Sequence, residues 1–157
     1  METRASDSLG RYYTDEAIAR LLIDSMSSIE PETVVDLGAG NGMLVHQAAK
    51  HWTSAKFLTV DIDKRATSSS LPALHGKAFS HFTGDALDYR LNERLGVDWG
   101  NACAAVCNPP YIRPRWRKYF GQILEQVGLS NILPQAKDAP AEILFIAQNL
   151  RLLKHGG

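Results

Sequence analysis

Asp36-Leu37-Gly38-Ala39-Gly40-Asn41-Gly42 follows directly on Thr33-Val34-Val35, so a short apolar run feeds into three alternating glycines. The run, with Pro31 upstream and glycines downstream, predicts a strand over Thr33 to Leu37 that is buried on both faces. Asn41 to Trp52 has Leu44, Val45 and Ala48 at helical spacing. A strand, a glycine turn and a helix in this order allow a cofactor to approach the backbone where side chains are missing. Alone the turn is weak evidence, since any nucleotide or simply a tight turn would explain it.

The next element sharpens the reading. Lys56 to Val60 is a second β-rich run that closes at Asp61, completing a βαβ unit. Asp61 lies about 20 residues beyond the glycine turn, the offset at which a carboxylate accepts ribose hydroxyls in nucleoside-binding folds. Asp63 could substitute for it, although a helix N-cap is the preferred reading there. Ala78 to Phe82 predicts a third strand, closed by Thr83, Gly84 and Asp85; Asp85 suits the exocyclic amino group of a cofactor base, or is simply a turn residue. Ala102 to Val106 predicts a fourth strand, ending at Asn108.

Helices are expected over Asp15 to Met26, with Ile18, Leu21, Leu22 and Met26 on one face, near Lys118 to Val127, and over Ala141 to Lys154, stopped by Gly156 and Gly157. The Ser/Thr-rich stretch Ala66 to Ser70 leaves the intervening helix less defined. Alternating strands and helices imply an α/β domain: a Rossmann-like, doubly wound parallel sheet in the order 3-2-1-4, spanning residues 1–157 as one unit.

Composition excludes several classes. The chain has 157 residues, 45% of them hydrophobic, and 17 Lys plus Arg against 17 Asp plus Glu, so any basic surface is local. No apolar run approaches the roughly 18 residues needed to span a bilayer, and Met1 to Gly10 lacks a signal-peptide pattern, giving a cytoplasmic expectation with no membrane contact. Cys103 and Cys107 read as small core residues sharing one face of the fourth strand. His46, His51, His75, His81 and His155 show no metal spacing, and no metal is expected.

Asn108-Pro109-Pro110-Tyr111, directly after the fourth strand, carries the chemistry. An amino nitrogen conjugated to an aromatic ring is a poor nucleophile because its lone pair is delocalised. The Asn108 side-chain oxygen and the Pro109 carbonyl, held by two fixed proline φ angles, could accept both its hydrogens and favour a pyramidal nitrogen. A proline-kinked loop with a packed tyrosine is the plainer alternative.

Taken with Asp36 to Gly42, this motif resembles the class I amino-methyltransferases, most closely the N6-adenine DNA methyltransferases of restriction-modification type. Gly10-Arg11-Tyr12-Tyr13-Thr14 resembles the opening motif of the adenine-specific enzymes, except that Asp15 stands where proline is usual. The resemblance implies S-adenosylmethionine (AdoMet) as cofactor, contacted by Tyr13, Thr14, Asp36, Gly38, Gly40, Gly42, Asp61, Asp85 and Asn108. It implies that Asn108, Pro109, Pro110 and Tyr111 are catalytic, with Tyr111 stacking on an adenine swung out of the duplex. Arg113, Arg115, Arg117 and Lys118, clustered around Trp116, would hold DNA phosphates, or form a solvated basic loop.

Members of that family continue past Lys154-His155-Gly156-Gly157 with further strands and a target-recognition region. The expectation is therefore a truncated catalytic domain with its fourth strand left as an open edge, one that binds AdoMet yet methylates double-stranded DNA poorly, with a specificity or restriction subunit as a further partner. Glutamine N5-methyltransferases and RNA or cytosine-N4 enzymes use the same motif and stand as alternatives. So does a non-catalytic AdoMet-binding remnant or subunit.

Overall fold

In the computed structural model, residues 10, 12–65, 78–131 and 136–157 are described. Ala66 to Ser70, His75 and Arg11, singled out above, lie outside them. The elements follow the predicted alternation: α1 (Glu16–Ser25), β1 (Thr33–Leu37), α2 (Met43–His51), β2 (Lys56–Asp61), β3 (Phe79–Thr83), α3 (Leu91–Leu95), β4 (Ala104–Val106), α4 (Lys118–Gln126), a 3-10 turn (Ala136–Asp138) and α5 (Ala141–Leu152). The four strands form a parallel sheet in the order β3-β2-β1-β4. This is the expected doubly wound architecture, and it brings the ends of β1, β2, β3 and β4 to one rim.

β1 and β2 are central strands, and their apolar runs are buried on both sides, as the unbroken Val34-Val35 and Phe57-Leu58 pairs require. One layer packs α4 and α5 against Val35, Leu37, Leu58 and Val60. The other packs α1 and α2 against Val34, Phe57, Ala104 and Val106, with Trp52 sealing its end by donating from Nε1 to the Ile29 carbonyl at 3.0 Å.

Several expectations need correcting. The buried face of α1 is Ala19 and Ile23, whereas Ile18, Leu21 and Leu22 are exposed, Leu21 at 71%. Small Ala19 lets α1 approach α2 closely, and Gln47 of α2 reaches Glu16 at 3.1 Å, so contact is set by the small residues rather than by the apolar stripe. The helix starts at Glu16 rather than Asp15, which is its N-cap and accepts from the Ala17 amide at 2.8 Å.

β4 begins at Ala104 rather than Ala102, leaving both cysteines outside it; each is half-buried, and the Cys107 thiol donates to the Leu37 carbonyl at 2.9 Å. Burial pushes that thiol well above its ordinary range. α5 ends at Leu152, before the glycines, because the chain turns extended to pair with Ala102. The Ala102 amide donates to the Leu152 carbonyl and the Lys154 amide to the Ala102 carbonyl, at 2.8 and 2.9 Å. The segment after α5 thus pairs with the chain just before β4, and β4 itself is the last strand of the sheet.

Candidate active site

The glycine turn is clamped onto β2. The Gly38 and Ala39 amides donate to the Val60 carbonyl at 2.8 and 2.9 Å, and the Gly40 amide to Asp61 Oδ2 at 2.7 Å. Gly38, Gly40 and Gly42 all have positive φ, 76°, 57° and 74°, a conformation that side chains resist. A β-carbon on Gly38 would lie 3.1 Å from the Phe145 ring, and one on Gly40 would lie 3.4 Å from the Tyr13 ring. Here glycine is needed for both the turn and the space above it.

Asp61 is buried, and its other oxygen accepts the Asp63 amide at 2.7 Å. A carboxylate offers about four lone-pair positions, so two remain for a ligand in the cleft it lines. Asp63 turns away to pair with Arg65 at 3.2 Å, which separates the roles of the two acids.

Asp36 lies beneath the turn, 1% exposed, with neither carboxyl oxygen in a hydrogen bond of normal geometry. Burial raises its pKa to about 8, helped by the negative charge of Asp61 and opposed by the Val45 amide. A buried, uncompensated acid next to a cleft can be relieved by a cation.

Asn108 is oriented by the N-terminal strap. Its Nδ2 donates to the Tyr12 carbonyl at 2.9 Å and to Thr14 Oγ1 at 3.1 Å, which uses both amide hydrogens. Oδ1 is left as an acceptor and meets the Tyr111 hydroxyl at 3.2 Å. The Tyr111 amide donates to the Gly10 carbonyl at 3.0 Å, and Ile112 and the Tyr111 carbonyl crowd Gly10, where a β-carbon would clash. Thr14 is free to serve Asn108 because Asp15, in place of the usual proline, supplies the helix cap.

Asp61, Asp85 and Asn108 line one cleft of about 230 Å³, together with Gly38, Gly40, Tyr13 and Pro110. Sequence reasoning missed Phe145 and Ile112, which close its apolar wall; as apolar residues of a helix and a loop they carried no polar signal. Arg113, Arg115 and Lys118 are exposed beside it. Arg117 differs: its guanidinium pairs with Asp85 Oδ2 and donates to the Tyr119 hydroxyl, both at 2.6 Å. Asp85 also accepts the Leu87 amide at 2.8 Å, so the acid expected to face a cofactor base and the arginine expected to face phosphate hold each other.

The sequence model of the methyltransferase small domain family matches residues 12–125, which take in both glycine turn and Asn-Pro-Pro-Tyr motif. This chain belongs to that family. Among curated proteins, the methyltransferase small domain is similar to the ribosomal RNA large subunit methyltransferase G of Shewanella denitrificans, at 35% identity over 97 residues, 59% of this chain and 24% of that protein. The protein of the same name from Shewanella sp. strain MR-4 is 31% identical over 101 residues, with the same shares covered. The chain therefore spans about a quarter of the length of these curated relatives.

Solved structures share the fold. A Pyrococcus horikoshii protein provisionally described as an RNA methyltransferase matches with a TM-score of 0.57 at 22% identity, covering 92% of this chain and 59% of that one. An O-methyltransferase family protein from Burkholderia thailandensis matches at 0.50 and 20% identity, covering 73% and 35%. The comparisons carry the class I methyltransferase part of the sequence resemblance and do not carry its DNA adenine part.

AdoMet is the cofactor of the methyltransferase small domain, and the site fits it. The orphaned Asp36 carboxyl suits the ligand's ammonium group, and the space above Gly38 and Gly40 suits its approach to the backbone. When bound, AdoMet supplies a sulfonium-activated methyl group.

Two outcomes follow. Asp36 holds its proton in the folded chain far above the usual carboxylate range, so the stability it confers is complete below about pH 4 and is lost as pH rises through about 8. The melting temperature of the ligand-free protein should fall between about pH 4 and about pH 8 and level off above, and Asp36→Asn should lose that decline; parallel curves would contradict the assignment. Thr14→Val removes one partner of Asn108, so kcat for methyl transfer should drop about tenfold while AdoMet affinity is kept, with Thr14→Ser restoring it. Equal loss of both quantities would show that Thr14 acts through the cofactor instead.

Proposed function

We propose that this chain is the catalytic core of an N-methyltransferase that moves a methyl group from AdoMet to the exocyclic amino group of a base in RNA. The observation that carries the reading is the Asn108 amide, whose hydrogens are both spent on the strap so that its oxygen is left to accept. An acceptor that cannot switch to donor is what a base amino group needs. The choice of RNA is supported by the names of the ribosomal RNA relatives.

In this reading Asn108 Oδ1 and the Pro109 carbonyl take the two amino hydrogens, which restores lone-pair density on nitrogen and aims it. As the N–CH3 bond forms the S–CH3 bond would break, leaving S-adenosylhomocysteine, and the surplus amino proton would pass to solvent, so no side chain has to ionise beforehand. The Tyr111 hydroxyl must first give up Oδ1, and its 3.2 Å contact is longer than the ordinary O–H···O range, so the exchange costs little. The Tyr111 ring, kept in place by the bond of its backbone amide to the Gly10 carbonyl, offers a face for the base. Asp61 holds the cofactor's ribose, Asp85 its adenine amino group, Asp36 its ammonium, and Tyr13 covers the glycine turn.

Arg113, Arg115 and Lys118 supply phosphate contacts, and Arg117 joins them only when it parts from Asp85. Choice of site along the nucleic acid would come from a recognition region or a partner subunit, and the reading places the reaction in the cytoplasm. Among the described residues no helix is long and apolar enough to cross a membrane.

A second reading, methylation of adenine N6 in double-stranded DNA, is favoured by the seating of Tyr12, Tyr13 and Thr14 against the catalytic motif, as the opening element of the adenine-specific enzymes implies. Labelled AdoMet offered together with ribosomal RNA, unmethylated duplex DNA and a glutamine-bearing protein acceptor separates the candidates. Label is expected in RNA. Label in duplex DNA would establish the second reading in its place, and label in protein alone would remove both.

A further inference from the structure

Tyr12 and Tyr13 are neighbours that face different halves of the site. The Tyr13 ring lies over Gly40, on the cofactor side. Tyr12 instead meets Tyr111, with ring centroids 5.6 Å apart and planes at 79°. Both rings are left largely in solvent, Tyr12 at 68% and Tyr111 at 54%, although each belongs to a residue whose backbone or side chain is pinned to Asn108 or Gly10. Tyr12 also lines the cleft beside Asn108 and Pro110. Two large aromatic faces held at a right angle, exposed, and next to an acceptor amide make a preformed corner for a flat ligand.

We propose that Tyr12 is a binding residue for the target base, forming the wall of a corner whose floor is Tyr111. This rests on the base-amino reading above and adds a residue to it. A base stacked on Tyr111 lies parallel to that ring, and so meets the plane of the Tyr12 ring at close to the same 79°. That is the edge-to-face arrangement aromatic rings favour. The wall limits how far the base slides across Tyr111, and so sets its amino group at Asn108 Oδ1 rather than beside it.

The ligand class is a planar nucleobase with an exocyclic amino group, since a ribose has no flat edge to present and a carboxamide side chain has too little area to touch both rings. The wall acts by its ring face, so its hydroxyl is dispensable.

The Tyr12 carbonyl, which orients Asn108, is backbone and survives any substitution, so side-chain and strap effects separate cleanly. In the full chain, Tyr12→Ala is expected to raise the KM for protein-free large-subunit ribosomal RNA about fivefold, with the AdoMet Kd from calorimetry unchanged and Tyr12→Phe behaving as wild type. A Tyr12→Ala enzyme with wild-type KM would overturn the proposal. So would a parallel loss of AdoMet affinity, which would put Tyr12 on the cofactor side, or failure of Tyr12→Phe to restore function. If the wild-type chain binds AdoMet but methylates no nucleic acid, the base-amino reading itself fails and this wall falls with it.

Discussion

Everything at this site depends on an amide that has no hydrogens left to give. Asn108 commits both to the Tyr12 carbonyl and Thr14 Oγ1, and an asparagine so held presents only its oxygen. Without the strap the group could turn and offer donors to a substrate that also donates. The strap in turn depends on small, specific features: Gly10, with positive φ and no room for a β-carbon, brings it against the Tyr111 backbone, and Asp15 caps α1 so that the Thr14 hydroxyl is not consumed there.

On the opposite side of the cleft a second constraint operates through charge. Asp61 fixes the glycine turn by accepting from Gly40 and the backbone beyond β2, while Asp36 is buried below with neither oxygen in a hydrogen bond of normal geometry among the described residues. Two acids so close cannot both carry full charge cheaply, and Asp36 keeps its proton near neutrality. The site stores an electrostatic need that a cationic ligand satisfies, which is consistent with a sulfonium cofactor bearing an ammonium group. The Arg117–Asp85 pair meets a similar need locally within the protein.

Much of this was legible in the sequence because it resides in backbone-dictating residues. Alternating glycines, carboxylates at strand ends and two consecutive prolines constrain the chain wherever they occur, and the sheet order and the position of Asp61, Asp85 and Asn108 along one cleft followed from them. What pattern could not supply was pairing through space. The exposed stripe of Ile18, Leu21 and Leu22 looked like the packing face of α1, yet α2 selected Ala19 and Ile23 for closeness. Arg117 sat among basic neighbours and gave no sign that Asp85, 32 residues away, would claim it. Tyr13 was assigned to the cofactor and Tyr12 to nothing, because the meeting of Tyr12 with the Tyr111 ring joins residues 99 positions apart.

The central claim is that an amino nitrogen, and no other atom, receives the methyl group because Asn108 prepares it. RNA methylated by the chain, digested to nucleosides and resolved by mass spectrometry, should carry the new methyl group on an exocyclic base nitrogen, and none should form with Asn108→Ala. A methyl group on ribose oxygen or on a ring carbon, or transfer that persists without Asn108, would contradict the account.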